Sequence, residues 1–209
     1  MIFSSDNGPW LIQNADGGSA GPLRGGKGGT YEGGMREPTI AWWPGHVPPG
    51  KSCDAVAGEI DLLPTLVKLA GGAVPTDRKI DGVDIGPILL GQSAVSPRDC
   101  HYYFNANRLE AVRSGPWKLA IAPQRENNGI DRPLQPPYVS PLPVFVPALY
   151  NLDTDIGEKT DVAADHPDVV KHLQEFVQQM DADLGITGKG PGVREPGRVE
   201  EPKPLLLKK

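Results

Sequence analysis

Cysteine and long apolar runs are both scarce in this sequence. The 209 residues include only two cysteines, too few for a disulfide framework, and Cys53 and Cys100 lack the spacing of zinc or redox motifs. We therefore expect both thiols to be unpaired. No apolar run approaches the ~20 residues that a membrane-spanning helix needs, so the sequence predicts no membrane span.

Positive charge is scarce as well. The 21 Lys and Arg residues are outnumbered by 26 Asp and Glu residues, and the formal net charge is -5. This balance argues against a nucleic acid partner, because phosphate-backbone binders are usually basic. Hydrophobic residues make up 38% of the chain, enough for a core, whereas 26 glycines and 23 prolines indicate many loops. The length allows one domain or two small ones.

The chain begins with a short apolar run that is followed by a polar turn. Residues 1–3 are typical of the end of a strand, and Asp6-Asn7-Gly8 of the turn that leaves it. Ligands in open α/β sheets collect at the carboxyl ends of strands, and adjacent carboxylate and amide oxygens suit calcium or magnesium. The same three residues are also a common β-turn sequence, because Asn and Gly tolerate positive φ. From these residues alone, both interpretations stay open.

A glycine-rich segment, residues 25–34, contains the single lysine Lys27. Its glycines predict a loop without regular secondary structure, whose backbone N–H groups and one ammonium can hold an oxyanion. Residues 21–27 fit the start of a nucleotide-binding P-loop. That motif needs Ser or Thr and the start of a helix after the lysine, and Gly28 provides neither. A flexible surface loop with an incidental lysine is the remaining alternative.

Several long segments together resemble one family. DNG followed by GPLRGGKGGTYEGGMREPTIAWWPG resembles the second half of type I sulfatases, the arylsulfatase and N-acetylgalactosamine-6-sulfatase group of the alkaline phosphatase superfamily. The segments GEIDLLPTLVKLAGG, IDGVDI, AVRSGPWKLAI and LYNLDTDIGEKTDVA are similar to later blocks of that family, in the expected order. The resemblance covers residues 1 to roughly 180, and a series of long motifs is far more specific than any short one.

The resemblance implies an α/β fold in two parts. Residues 1–97 would form the C-terminal part of an alkaline-phosphatase-like α/β sulfatase domain. Residues 98–187 would form a small α+β domain, an antiparallel sheet plus a C-terminal helix. We expect residues 188–209, where charge alternates with Pro and Gly, to be a disordered tail. The chain is thus expected to be the C-terminal half of a sulfatase.

The resemblance also assigns site residues. It implies that Asp6 and Asn7 ligate one Ca²⁺ ion, and that Lys27 is a catalytic residue that contacts the sulfate. The family's nucleophile is a formylglycine made from the Cys or Ser of a C/S-x-P-S-R motif, and this sequence contains no such motif. The remaining calcium ligands are absent too. We therefore expect a fragment of a sulfuric ester hydrolase that is inactive by itself.

Two other functions stay open on the sequence. One is a non-catalytic or truncated protein with a sulfatase fold, and the other is a phosphate or phosphonate ester hydrolase of the same superfamily. The resemblance implies a sulfate-ester substrate such as a sulfated carbohydrate, and a periplasmic, extracellular or lysosomal location. The substrate's identity and the oligomeric state are not indicated.

Hydrophobic patterning predicts the remaining elements of the first part. Residues 39–43 form an apolar run between two prolines and predict a buried strand. Asp61 is predicted to cap a helix whose apolar face packs in the core and which ends at Gly71. Arg36 and Glu37 are predicted to form a structural ion pair, with a position facing the site as the alternative.

The second part is predicted to be a sheet covered by a helix. Four strands are expected to form an antiparallel meander, over residues 101–104, 109–113, 117–121 and 149–152. A helix over residues 167–183, capped by Asp165, has an apolar stripe that would cover one face. His101 and Asn105 are interpreted as surface strand residues, with the rim of the substrate pocket as the alternative. His46 is predicted to lie in an exposed turn.

Overall fold

A computed structural model describes residues 1–126 and 145–186, together with Gly192 and Arg194. The predicted disordered tail, apart from Gly192 and Arg194, and most of the proline-rich stretch between residues 123 and 147 lie outside the described residues. Among the helices that are described, none combines the length and the apolar composition needed to cross a membrane.

The two N-terminal strands form a small antiparallel sheet. Strand β1 (Ile2–Ser4) pairs with β2 (Thr39–Ala41), and Phe3 lies opposite Ile40. The side chains of Phe3 and Ile40 are 64% and 60% exposed, and Trp42 just beyond β2 is 60% exposed. The prediction of a buried strand over residues 39–43 is therefore wrong. An apolar run is buried only where a second layer covers it, and these side chains remain more than half exposed.

The glycine-rich segment contains a helical turn that the sequence did not predict. Helix α1 spans Glu32–Met35, so the expectation of a loop without regular structure is wrong for residues 32–34. A Cβ atom at Gly33 would lie 2.4 Å from the oxygen of Gly25, and one at Gly34 would lie 2.4 Å from the oxygen of Gly26. Close packing between backbone segments thus outweighs the poor helix propensity of glycine.

Two further short helices follow. Helix α2 (Leu62–Leu69) comes directly after a 3-10 turn at Glu59–Asp61, and the chain leaves it through Gly71 at φ 76°. This ending agrees with the predicted stop. Helix α3 spans Gly86–Leu89.

Asp61 is the residue before α2, as predicted for a cap, but its side chain bonds to the preceding 3-10 turn and not to α2. Asp61 is buried and makes no side-chain capping bond to α2. Its Oδ2 accepts a hydrogen bond of 2.8 Å from the amide of Gly58, its Oδ1 accepts one of 2.8 Å from the amide of Val83, and Oδ1 also pairs with Arg98. The carboxylate therefore ties three separate segments together.

The apolar face of α2 does not pack in a core as predicted. Leu63 and Leu66 are 53% and 48% exposed, whereas the buried residues of the helix are Pro64 and Thr65. The Thr65 hydroxyl donates to the Asp61 carbonyl at 2.6 Å and accepts from the Ile85 amide at 2.9 Å. Polar contacts hold this helix more than its leucines do.

A four-stranded antiparallel sheet forms the second part of the chain, as predicted. Its order follows the sequence, with strands β3 (His101–Asn105), β4 (Arg108–Ser114), β5 (Trp117–Ala120) and β6 (Ala148–Asn151). One face carries Val112, which lies opposite Leu119, and Leu119 in turn lies opposite Leu149. The alternating positions Arg113 and Lys118 therefore belong to the other face.

Helix α4 (Pro167–Leu184) covers the first of these faces, which confirms the predicted sheet-and-helix unit. Leu173 is fully buried with Val112, Leu119 and Leu149. The predicted cap is wrong, because the residue before the helix is His166 and no side chain caps it. Burial of the apolar stripe supplies the stability that a cap would otherwise add.

Three smaller predictions also have outcomes. Both cysteines are free, as expected. His46 is exposed, as expected, and stacks on Trp43 with ring centroids 4.0 Å apart. Arg36 pairs with Asp54 at 3.6 Å and not with Glu37, so the predicted ion pair is wrong. The division of the chain at residue 97 stays a prediction.

Candidate functional site

The Asp6-Asn7-Gly8 turn follows β1 directly and packs against the glycine-rich segment. Neither Asn7 nor Gly8 has a positive φ, so the turn does not use the conformational freedom that these two residue types offer. Gly8 is buried, and a Cβ atom there would lie 1.9 Å from the oxygen of Gly33. Glycine is needed at this position because two backbone segments touch.

Lys27 is held at the same place. Its amide donates a hydrogen bond of 2.9 Å to the carbonyl of Pro9, one residue after the turn. Its ammonium lies 5.4 Å from the centre of the Trp10 ring. Within the described part of the chain, no carboxylate lies at ion-pair distance from that ammonium. The structure therefore brings the backbone of Lys27 beside the turn that contains Asp6 and Asn7, and leaves its charge uncompensated.

Negative charge surrounds the turn itself. Burial raises the pKa of Glu37, and the charges of Asp6 and Glu59 raise it further. The Oε1 atom of Glu37 is buried, and it has no hydrogen-bond partner among the residues that are described. Carboxylate and amide oxygens at such a place suit a hard cation such as Ca²⁺.

The chain supplies only part of a coordination sphere. Within the described ranges, no group of three or more His, Cys, Asp or Glu side chains is arranged to hold a metal ion. Calcium takes six to eight oxygen ligands, so Asp6 and Asn7 would be two of several. The oxygen donors of Asp6 and Asn7 are of the kind that calcium binds, but two donors are fewer than the ion needs.

Two other sequence interpretations are resolved by the geometry. A P-loop needs a helix directly after its lysine, and α1 begins only at Glu32, which excludes that motif. The side-chain amide of Asn105 donates a long hydrogen bond of 3.5 Å to the carbonyl of Gly28. Asn105 therefore reaches the segment that contains Lys27.

His101 lies elsewhere, and its interpretation as a surface strand residue is wrong. Its ring meets the Tyr103 ring edge to face at 5.0 Å, and its Nδ1 is buried. Burial, helped by the nearby Arg98 charge, lowers the pKa of His101 to about 4. The imidazole is therefore neutral at pH 7.

A buried polar cluster lies behind the glycine-rich segment, and the sequence pattern did not predict it. Its members are all fully buried, and they are Thr30, Glu32, Glu110, Lys118 and Glu158. Charged residues at alternating strand positions normally indicate a solvent-facing surface. Here that face of the sheet carries the glycine-rich segment instead.

Taken together, the described residues bring the backbone of a lysine segment beside a turn with two oxygen donors, in a chain of mixed helices and antiparallel sheets. Comparison with known proteins defines the family. Residues 1–73 match the sulfatase family, and residues 96–189 match the C-terminal region of aryl-sulfatase. The chain belongs to the sulfatase family.

Relatives and solved structures agree with this family. Human arylsulfatase A is 39% identical over 197 residues, which are 87% of this chain and 38% of the relative. Canine N-acetylgalactosamine-6-sulfatase is 34% identical over 199 residues, which are 86% of this chain and 37% of the relative. A solved sulfatase from a Pseudoalteromonas species is 28% identical with a TM-score of 0.70, covering 87% of this chain and 36% of that one. The chain thus spans less than two fifths of the length of these proteins.

Proposed function

We propose that the chain carries one half of the site of a sulfuric ester hydrolase, in which Lys27 contacts the sulfate and Asp6 and Asn7 ligate Ca²⁺. One observation carries the proposal. The amide of Lys27 is bonded to Pro9 at 2.9 Å, so the backbone of this lysine lies beside the turn that contains the two oxygen donors. Membership of the sulfatase family supports the same assignment.

The electrostatic contribution of Lys27 would be large. A unit charge about 4 Å from a sulfate oxygen is worth on the order of 4 kcal/mol at an effective dielectric constant near 20. Hydrolysis of a sulfate ester builds negative charge on the ester oxygens. A fixed ammonium stabilises that charge without reorganising during the reaction.

Calcium, when bound, polarises a sulfate oxygen as a Lewis acid. The residues of this chain that would hold it are Asp6 and Asn7, with the buried Glu37 oxygen close enough to Asp6 to feel its charge. Asn105, hydrogen-bonded to Gly28, would limit the movement of the lysine segment.

The nucleophile has no candidate in these 209 residues, because no C/S-x-P-S-R motif is present. We therefore expect the chain to require further residues for turnover. As to substrate, one relative is an N-acetylgalactosamine-6-sulfatase by name, and we propose a sulfated carbohydrate. A compartment outside the cytosol is proposed on the family resemblance alone.

Expression of the complete open reading frame that encodes this chain tests the hydrolase. We expect hydrolysis of an aryl sulfate, and a fall in kcat of about 100-fold or more for Lys27→Ala. Lys51→Ala, at an exposed position, is the matched control and should keep normal turnover. Equal turnover of Lys27→Ala and the parent would remove Lys27 from the mechanism.

An aryl phosphate, assayed in parallel, separates the two kinds of ester. Preferential hydrolysis of the phosphate would replace the sulfatase with a phosphate ester hydrolase. A reading frame without any C/S-x-P-S-R segment, together with absent turnover of both esters, would indicate a non-catalytic protein with this fold.

Calcium titration tests the metal ligands separately. Asp6→Ala should weaken calcium binding, since it removes one charged ligand, and Asp16→Ala should not, since Asp16 is exposed on a 3-10 helix and is not a proposed ligand. Isothermal titration calorimetry measures both. An unchanged titration for Asp6→Ala would return Asp6-Asn7-Gly8 to the status of a plain turn.

A further inference from the structure

The glycine-rich segment is bonded to the second face of the four-stranded sheet through Thr30. The Thr30 carbonyl accepts hydrogen bonds from Lys118 Nζ at 2.8 Å and from Gln124 Nε2 at 2.7 Å. Its hydroxyl donates to Glu110 Oε2 at 2.6 Å. Thr30 is fully buried, and its bonds to Lys118 and Glu110 are shielded from water. A single residue thereby fixes the segment three positions after Lys27.

Glu32, two residues further on, makes a second attachment. Its carboxylate accepts hydrogen bonds from Tyr103 Oη at 2.7 Å, Arg113 Nη1 at 2.9 Å and Lys118 Nζ at 3.1 Å. Its amide donates to Glu158 Oε2 at 2.6 Å. Both the side chain and the backbone of Glu32 are therefore held by residues of the second part of the chain.

The cluster pairs carboxylates with cations, and burial raises the pKa of Glu158. Two carboxylates, Glu32 and Glu158, face two cations, Lys118 and Arg113, and Lys118 Nζ lies 2.8 Å from Glu158 Oε1. Burial by itself would raise the pKa of Glu32, but the charges of Lys118 and Arg113 outweigh it and hold that pKa below the ordinary range. Glu32 is therefore ionised, and its bonds are of the stronger, charge-assisted kind.

The opposite side of the same segment touches the turn that contains Asp6. Gly8 and Gly33 pack backbone to backbone, and the amide of Lys27 is bonded to Pro9. Lys27 itself is half-buried between buried Gly26 and exposed Gly28. The lysine thus lies on a short stretch that is held from both ends.

We propose that Glu32 and Lys118, with Tyr103, Arg113 and Glu158, form a buried clasp that positions Lys27 for the sulfate. These are positioning residues and do not touch the substrate. The inference rests on the proposed function for the role of Lys27, but the clasp itself is a property of this chain. Breaking it should release the segment without unfolding the helix-covered face of the sheet, which has its own apolar core.

A pair of tyrosines on one strand provides a matched test. Tyr103 Oη bonds to Glu32, whereas Tyr102 Oη bonds at 3.2 Å to the carbonyl of Phe176 on α4. Each Tyr→Phe change removes one hydroxyl from β3, one on each face. In the 209-residue chain, Tyr103→Phe should speed the hydrogen exchange of amides 25–34 by about tenfold, as expected for a lost bond to a charged group. Tyr102→Phe should leave those amides unchanged.

Glu32→Gln is the second variant, because it keeps the shape of the side chain and removes its charge. It should speed exchange over the same amides more than Tyr103→Phe does, since three donors lose a charged acceptor. Unchanged exchange of amides 25–34 in both Tyr103→Phe and Glu32→Gln would overturn the clasp, whatever the activity of the protein.

Kinetics of the complete protein with the aryl sulfate distinguish a positioning role of the clasp from a purely structural one. If the clasp positions Lys27, Tyr103→Phe lowers kcat with little change in KM, because the lysine acts on charge that develops in the transition state. Tyr102→Phe keeps both constants. Faster exchange in Tyr103→Phe with normal kcat would overturn the positioning role. Normal turnover in Lys27→Ala would instead be a failure of the proposed function, and it is recognised by a different variant.

Discussion

The two parts of the chain differ in how completely they bury their apolar side chains. In the second part, Val112, Leu119, Leu149 and Leu173 are fully enclosed between the sheet and α4. In the first part, Phe3, Ile40, Trp42, Leu63 and Leu66 are about half exposed or more. Apart from Ile85, all the buried hydrophobic residues among those described lie between Tyr103 and Leu173.

The difference shows which forces stabilise each part. The sheet and α4 are held by apolar burial, at about 25 cal/mol per Å². The first part is held instead by close backbone contacts at glycine and by buried polar groups such as Asp61, Thr65 and Glu32. Stability in the first part should therefore depend on particular polar atoms more than on apolar area.

Among the changes that test this difference, removal of Lys118 should have the largest effect on the free energy of unfolding. Lys118→Met leaves Glu32 and Glu158 buried without their common partner, which should cost about 3–5 kcal/mol of unfolding free energy. Lys68→Met is the control, because its ion pair with Asp84 is exposed. Urea unfolding measures both. A Lys118→Met protein as stable as the parent would mean that the buried charges do not stabilise the junction.

A leucine in each part tests the apolar side of the comparison. Leu173→Ala should cost about 3 kcal/mol, because it opens a cavity in a closed core. Leu63→Ala, on the exposed face of α2, should change stability by less than about 0.5 kcal/mol. Equal losses in urea unfolding would show that the first part also has a closed core in solution.

Protonation of His101 should make the stability of the protein depend on pH. The pKa of His101 is about 4 in the folded chain, against about 6.5 when unfolded. Between these values the unfolded state binds more protons, so stability falls as the pH is lowered. The loss from His101 by pH 5 should be about 2 kcal/mol.

Two variants test whether His101 causes this pH dependence. His101→Asn should flatten the fall in unfolding free energy between pH 7 and 5, whereas His46→Asn, at an exposed position, should preserve it. A slope that persists in His101→Asn would place the titrating group elsewhere.

The smallest effect is expected at the surface of the first part. Arg36 and Asp54 are 3.6 Å apart, and the Asp54 side chain is 96% exposed. Arg36→Ala should change the unfolding free energy by no more than about 0.5 kcal/mol. A larger loss in urea unfolding would assign Arg36 a contact beyond this pair.

Much of the second part could be predicted because its sequence obeys simple periodicities. The alternation of apolar and polar residues predicted the strands. The apolar stripe through Val169 and Leu173 predicted that α4 packs on the sheet. The side chains of Asp61 and Asp165 do not cap α2 and α4 as predicted. Both aspartates precede the expected helix, but a cap also depends on competing partners, and Asp61 has Gly58, Val83 and Arg98.

The candidate site was predictable only in part. Asp6, Asn7 and Lys27 came from a family resemblance, and their roles stay predictions. The contact between Gly8 and Gly33, 25 residues apart in the sequence, has no local signal. The burial of Lys118 was not predicted for a different reason. A lysine that alternates with buried residues on a strand normally faces solvent. Only tertiary structure shows that a polar segment covers it.

The covering of both sheet faces has a consequence for dissecting the protein. A recombinant fragment that starts at residue 98 would keep α4 on the apolar face of the sheet. It would lack Thr30 and Glu32, which cover the polar face. Lys118 and Arg113 would then face water with Glu158 as their only carboxylate from the original four-charge set. The smallest autonomous unit should therefore include residues 24–34, which makes the C-terminal module discontinuous along the gene.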